Sequence, residues 1–459
     1  MNKVSDLIST LSAEEIKKLN SAKWSPRERE LLDAILQSVS TKKNPALVSA
    51  ESLGISKSHF DKLSSVVTEK IYNRLTNGSF KEIVFLLQQK GLSDVLLHEI
   101  GLQERKLKNE KDKSVQKDFY LIAYERLRRT PFDKLDLKML RQYANKLKPY
   151  LKDGDPFSAT VLEYKYVYVE NAFHFLNGES LAYAPKALAN IQRIAPSPDK
   201  QGKPEQSYYH FCMAGYMKDF PDDQNKALEH AKQALELARD WAPGKDDNFL
   251  ASAYGMVATI HAHRSEFKEA LAIHIESFEK LPEHMTTNFY HVIMFACILT
   301  VCREYKLLEQ HLDKHMSAYL DGSASLYYRL ETLRIKALLL LYQKKYDEAL
   351  HIIRELQSVK RKDMTDTADV FLRMIDNLYF LVTGDYDQTI SQSNKNMKYL
   401  RRKNYTYDNC DYNHFFYTIG ALAKMKQKGK VKPEALEPHF SRSRLGFLQM
   451  YSGLFEQVM

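Results

Sequence analysis

Histidines are the first candidates for chemistry, since 15 of them are spread along this 459-residue chain. A metal site needs imidazoles, thiolates or carboxylates converging on one point, which on a helix means a spacing of three or four residues. His311 and His315 have that spacing. Glu309 and Asp313 interleave with them, so the pattern predicts an exposed charged face rather than a ligand pair. His261 and His263 are two apart and point to different faces. His98–Glu99 opens the run HEIGL, which lacks the second histidine of a zinc-protease helix. The cysteines Cys212, Cys297, Cys302 and Cys410 form no CxxC pair and suit no zinc spacing; they read as free thiols in a reducing cytoplasm. Phosphate-cradling GxxxxGK[ST] and GxGxxG motifs are absent, as is the GxSxG elbow. The sequence therefore predicts no catalytic residue, no cofactor and no metal.

Composition points to long helices. Gly (16) and Pro (14) are scarce for this length, and all-β folds consume both in turns. Hydrophobic residues at 44% supply a core. No run of 18 uncharged apolar residues occurs, so no spanning helix is expected. The opening MNKVSDLISTLSAEEIKKL lacks an apolar signal core, which predicts a cytoplasmic protein. The whole net charge of +9 falls within residues 1–150, where 28 Lys+Arg face 19 Asp+Glu; the remaining 39 basic and 39 acidic residues balance. A basic first third attached to a neutral remainder suggests a polyanion contact or simply a separate fold.

The remainder repeats itself. Residues 252–282 carry an apolar helix, a polar turn at His263–Glu266 and a second amphipathic helix; 331–358 and 371–400 repeat this layout. Ala258, Phe267, Ala270 and Pro282 mark the first copy, with Tyr254 early in its first helix. Ala337, Tyr346 and Ala349 mark the next clear one. Weaker copies carry Ala296 and Tyr305 with Leu308, then Gly384 and Tyr386 with Thr389. An earlier copy has Gly215, then Ala227, Ala231 and Ala234. These residues resemble the tetratricopeptide repeat, in which small residues sit where two helices cross and an aromatic fills the turn. The second small position steps through 227, 270, 308, 349 and 389, a longer period than the family's 34 residues. The resemblance implies an all-α fold of antiparallel helix pairs stacked as an α-solenoid. It also implies a concave face, lined by the first helix of each pair, that binds a protein or peptide. Tyr209, Tyr216, Thr259, His263, Arg334 and Tyr342 are in register with that face. The aromatic runs Tyr208–Phe211 and Phe289–His291 are expected to fill repeat interfaces.

A second resemblance lies in residues 24–75. WSPRERELLDAIL followed by ESLGISKSHFDKL is similar to the helix-turn-helix of LuxR-type regulators. Gly54 would supply a left-handed turn and Ser56 a helix cap. A recognition helix would then offer Lys57, Ser58, His59 and Lys62 to DNA. The stretch QSVSTKKNPALVSAE is longer than the family's, and Phe60 and Asp61 stand where polar or basic groups are usual. DNA binding, a purely structural use of the motif and chance similarity all stay open.

The expected organisation is a basic helical domain over 1–80, diverged helix pairs over 81–200, repeats over 201–425 and a helix capping the last repeat over 426–459. The ambiguous run TVLEYKYVYVENAF, with Tyr164, Tyr166 and Tyr168, reads as helix because Leu162, Tyr166, Val169 and Phe173 share one face. The expected function is a non-enzymatic protein-interaction scaffold, able also to self-associate. The alternative is a transcriptional regulator using 24–75 on DNA.

Overall fold

Short polar side chains fix where many of the helices begin. Ser12 and Ser25 each accept a backbone N–H from the glutamate three residues on, and that glutamate accepts the serine's own N–H at 2.7 Å. These reciprocal caps satisfy donors that a helix start otherwise leaves unpaired. The computed structural model describes residues 3–41, 48–89, 92–130, 135–152, 157–176, 180–194, 197–218, 220–287, 289–320, 326–361, 364, 366–403, 411–429 and 449–458. All the regular structure among them is helical, without strands. No helix among them is long and apolar enough to cross a membrane.

The chain divides into two units, one of residues 1–150 and one running from Leu151 to the end, apart from the undescribed 321–325. The boundaries expected near 80 and 200 fall inside these units. The polar run 197–206 separates nothing, because a single 3-10 turn at Pro198–Lys200 leads straight into the next helix.

The first unit holds α1 (Lys3–Ser9), α2 (Ala13–Asn20), α3 (Pro26–Ser40), α4 (Lys57–Leu75), α5 (Phe80–Gln89), α6 (Ser93–Leu107), α7 (Lys113–Arg128) and α8 (Leu137–Leu147). Helices α1, α2 and α3 all pack on α4, burying Val4, Leu7, Ile8, Leu31, Leu32, Val67 and Ile71. Lys70 ties α4 to α3 through Glu28 at 2.7 Å and, with the Ser25 cap, holds that carboxyl below its usual range.

The second unit holds α9 (Ala159–Leu176), α10 (Ser180–Ile194), α11 (Lys203–Met217), α12 (Gln224–Trp241), α13 (Asp247–His263), α14 (Phe267–Lys280), the short α15 (Pro282–Thr287), α16 (Phe289–Val301) and α17 (Tyr305–His311). It continues with α18 (Leu326–Tyr342), α19 (Tyr346–Ser358), α20 (Asp366–Val382), α21 (Tyr386–Arg402), α22 (Asp411–Gln427) and α23 (Gln449–Val458). Six successive hairpins run from α9/α10 to α20/α21. Their first helices α9, α11, α13, α16, α18 and α20, here A helices, pack in a row that α22 continues. This is a tetratricopeptide-like α-solenoid. The tyrosine-rich α9 is helical because its wide apolar arc is covered by both α10 and α11.

Four hairpin turns are the same object. Ser265, Arg303, Lys344 and Gly384 each take positive φ, at 63°, 60°, 59° and 84°. In each turn the following N–H bonds a carbonyl five residues back, as Glu266 does to His261 and Lys345 to Leu340. This is the Schellman helix end, which satisfies the last carbonyls and reverses the chain. The aromatics Phe267, Tyr305, Tyr346 and Tyr386 open the next helix two residues later in every case. Ala227, Ala258, Ala270, Ala296, Ala337 and Ala349 are all fully buried, as close helix crossings require. Pro282 begins α15.

One polar knot sits inside this unit. The Lys165 ammonium on α9 lies 3.2 Å from Asp246, and the Tyr208 hydroxyl of α11 donates to the same oxygen at 2.9 Å. The other Asp246 oxygen caps α13 by accepting the Phe249 N–H. Lys165 also sits over the Phe157 ring at 4.0 Å.

Candidate binding face

The A-helix face of the second unit is partly occupied by the chain itself. α23 packs against α16, α18 and α20, all A helices. Its Tyr451, Leu454 and Phe455 are buried, and Val458 packs on the same core cluster. The α22 ring of Phe415 lies 5.2 Å from that of Tyr451 and 6.1 Å from that of Phe455. At the rim, Arg303 pairs with Glu456, and the Gln457 amide faces the Tyr342 carbonyl at 3.5 Å. The sequence predicted a helix capping the last repeat. Instead α23 runs across several repeats, because its apolar face finds the A-helix row rather than the solenoid's end.

This placement explains two of the six residues expected on the concave face. Arg334 and Tyr342 are on α18 and buried. Arg334 pairs with Glu331 through Nε at 2.9 Å and Nη2 at 2.8 Å, its guanidinium lies 4.6 Å from the Phe371 ring centre, and Tyr451 covers it. Tyr342 stacks on Tyr305 at 4.9 Å. Burial pushes the Tyr451 phenol up to about 12. Thr259 is buried for another reason: its hydroxyl bonds back to the Gly255 carbonyl at 2.7 Å. These three therefore present nothing to a partner while α23 is docked and α13 is packed. Tyr209, Tyr216 and His263 remain part-exposed. His263 Nδ1 lies 3.2 Å from the Lys218 carbonyl. Tyr290, expected with the rest of its aromatic run to fill a repeat interface, is instead 45% exposed on α16 with its hydroxyl 3.5 Å from that of Thr259, and so offers an accessible ring on this face.

The expected charged face at His311 is not formed. His311 ends α17 three residues after the buried Leu308 and faces inward with it; a π turn at Leu312–Met316 follows, with Leu312 and Met316 also buried, while Glu309 and Asp313 stay exposed. His311 donates from Nε2 to the Val292 carbonyl at 2.9 Å and meets Phe295 edge-on at 5.0 Å. It joins His274 and His291, both buried with neither ring nitrogen hydrogen-bonded. Burial drives His274 down to about 3, helped by the other two, and His291 and His311 to about 4. His291 fits only because residue 255 is glycine: a Cβ there would lie 2.4 Å from the imidazole Cε1.

Elsewhere the second unit has an open 690 Å³ groove between α12, α13 and α14, lined by Lys232, Glu236, Arg239, His261 and Glu269 over an apolar floor. Its charges are mixed and do not converge. No group of three metal-ligating side chains occurs among the described residues.

In the first unit Gly54 has φ +62° and Ser56 caps α4 by accepting the His59 N–H, as the helix-turn-helix resemblance implies. Lys57, Ser58, His59 and Lys62 are exposed. The helix that should lead into the turn is missing among the described residues: 48–49 are irregular, 50–54 form turns, and α3 ends at Ser40. Asp61 and Glu69 share the exposed side of α4 and offset its lysines.

No protein-family model matches the chain, and no curated protein matches it. Among solved structures it is similar to the apo form of RapI, with a TM-score of 0.39 and 14% identity over 77% of this chain and 98% of that one. It is also similar to a Rap protein complexed with competence and sporulation factor, with a TM-score of 0.48 and 13% identity over 82% and 98%.

Proposed function

We propose that this protein is a non-enzymatic interaction scaffold whose A-helix face in the second unit docks a peptide or helical segment of a protein partner. The observation that carries this reading is α23. Ten residues with no covalent tie to α16, α18 or α20 other than the chain itself bury an apolar stripe on that row. A face that holds one amphipathic helix has the shape and chemistry to hold another. Tyr290, Tyr216 and His263 supply accessible aromatic and hydrogen-bonding groups on the neighbouring A helices, the residue types that anchor such contacts.

The test is site-specific photo-crosslinking in native extract. A benzophenone side chain replaces Tyr290 or Tyr216 on A helices, or Ile275 on α14, which is 38% exposed. Discrete protein adducts from the A positions and none from Ile275 are expected. Adducts equally distributed among the three, or absent from the A positions, refute the reading.

A further inference from the structure

We infer that α23 is a tethered stand-in for the partner, occupying the docking face until an amphipathic helix of the same pattern displaces it. This rests on the A-face reading and specifies the partner: a helix with an aromatic or aliphatic residue at i, i+3, i+4 and i+7 and an acidic residue at i+5.

The pattern is that of α23 itself. Tyr451, Leu454, Phe455 and Val458 turn inward, and Glu456 meets Arg303 at the rim. Two features make the occupant separable. First, ten residues are too few to stay helical alone in water, so the order of α23 depends on docking. Second, besides its apolar stripe and the Tyr451–Arg334 contact it is held at the rim only by a half-exposed ion pair and the long Gln457 contact to the Tyr342 carbonyl, whereas α16, α18 and α20 are also clamped by their own hairpin partners.

The probe is a fluorescein-labelled peptide with the sequence of residues 444–459, followed by anisotropy with the full chain. The tethered α23 competes at a millimolar effective concentration. Wild type is therefore expected to bind the peptide at least tenfold more weakly than full-length Leu454→Asp/Phe455→Asp, in which α23 cannot dock. Circular dichroism must show that this variant keeps its helix content. Equal binding by the two chains overturns the stand-in role and leaves the A-face reading intact. No binding by the folded variant overturns it too, by showing that α23 is fixed core. Glu456→Arg in the full chain, an exposed change that leaves the peptide's own Glu456 able to pair with Arg303, is expected to improve peptide binding about two- to five-fold, and Arg303→Glu/Glu456→Arg, which restores the tethered pair and repels the peptide's glutamate, to reverse the gain. Failure of that reversal removes the rim pair from the mechanism and counts against the proposal. The crosslinking experiment above fails or succeeds independently of these results.

Discussion

Acid should loosen the second unit through its buried imidazoles. His274, His291 and His311 have folded-state pKa values of about 3, 4 and 4, against about 6.5 for an exposed histidine. Burial is the first cause for all three, and no carboxylate is among the contributors. Because the folded pKa is depressed, the unfolded chain binds more protons as pH falls. Stability is thus full above about pH 6.5 and declines toward pH 4. At pH 5 each such group costs roughly 2 kcal/mol, so the three together cost roughly 6 kcal/mol at most. His274→Leu isolates one contribution. The replacement sacrifices no hydrogen bond, since neither ring nitrogen of His274 makes one. Urea denaturation followed by far-UV circular dichroism at pH 7.5 and 5.0 measures the effect. The drop in stability between these pH values should be about 2 kcal/mol smaller in the variant than in wild type. Parallel pH profiles for the two proteins would show that His274 is not a buried neutral group and sink the argument.

Three further outcomes are expected. Gly255→Ala forces a methyl to 2.4 Å from the His291 ring, and this overpacking should outweigh the gain in helix propensity, for a net loss of about 1 kcal/mol or more in thermal melts; in a His291→Ala background the same change should stabilise. Lys344→Gly relieves a left-handed residue at an exposed turn and should add about 0.5 kcal/mol, whereas Gly384→Ala should lose about 1 kcal/mol, both read by chemical denaturation. Lys57→Glu with Lys62→Glu should leave affinity for duplex DNA unchanged at low salt, because Asp61 and Glu69 already offset those lysines; a steep salt-dependent loss would revive a nucleic-acid role.

The repeats were legible in the sequence because their determinants are local. An alanine at a helix crossing and an aromatic two residues past a turn recur wherever the same hairpin is built. The long and uneven period did not blur them, since the Schellman turn is preserved while helix lengths vary. The positive-φ residue was hidden in three of four turns, because Ser265, Arg303 and Lys344 occupy a place where glycine would have announced it. What the sequence could not show was long-range. Arg334 and Tyr342 have the register of an open face, and only the return of α23 covers them. The inward side of His311, shared with Leu308 on α17, is disguised by the flanking charges Glu309 and Asp313. Gly255 and His291 are complementary across two helices, a pairing that a single sequence does not reveal.

The knot of Lys165, Tyr208 and Asp246 bears on how the solenoid comes apart. Stacked repeats ordinarily open one at a time, each held only by its neighbours. Here a single carboxylate links α9, α11 and the start of α13, so losing α9 or the start of α13 strands a buried charge, and losing α11 costs that carboxylate a buried hydrogen bond. Amide exchange across 159–263 should accordingly proceed as one block, with a common opening free energy, while the hairpins beyond it retain individual ones. The segment carrying Tyr209 and Tyr216 then behaves as a rigid anvil, and adaptation to a guest falls to the other end of the row.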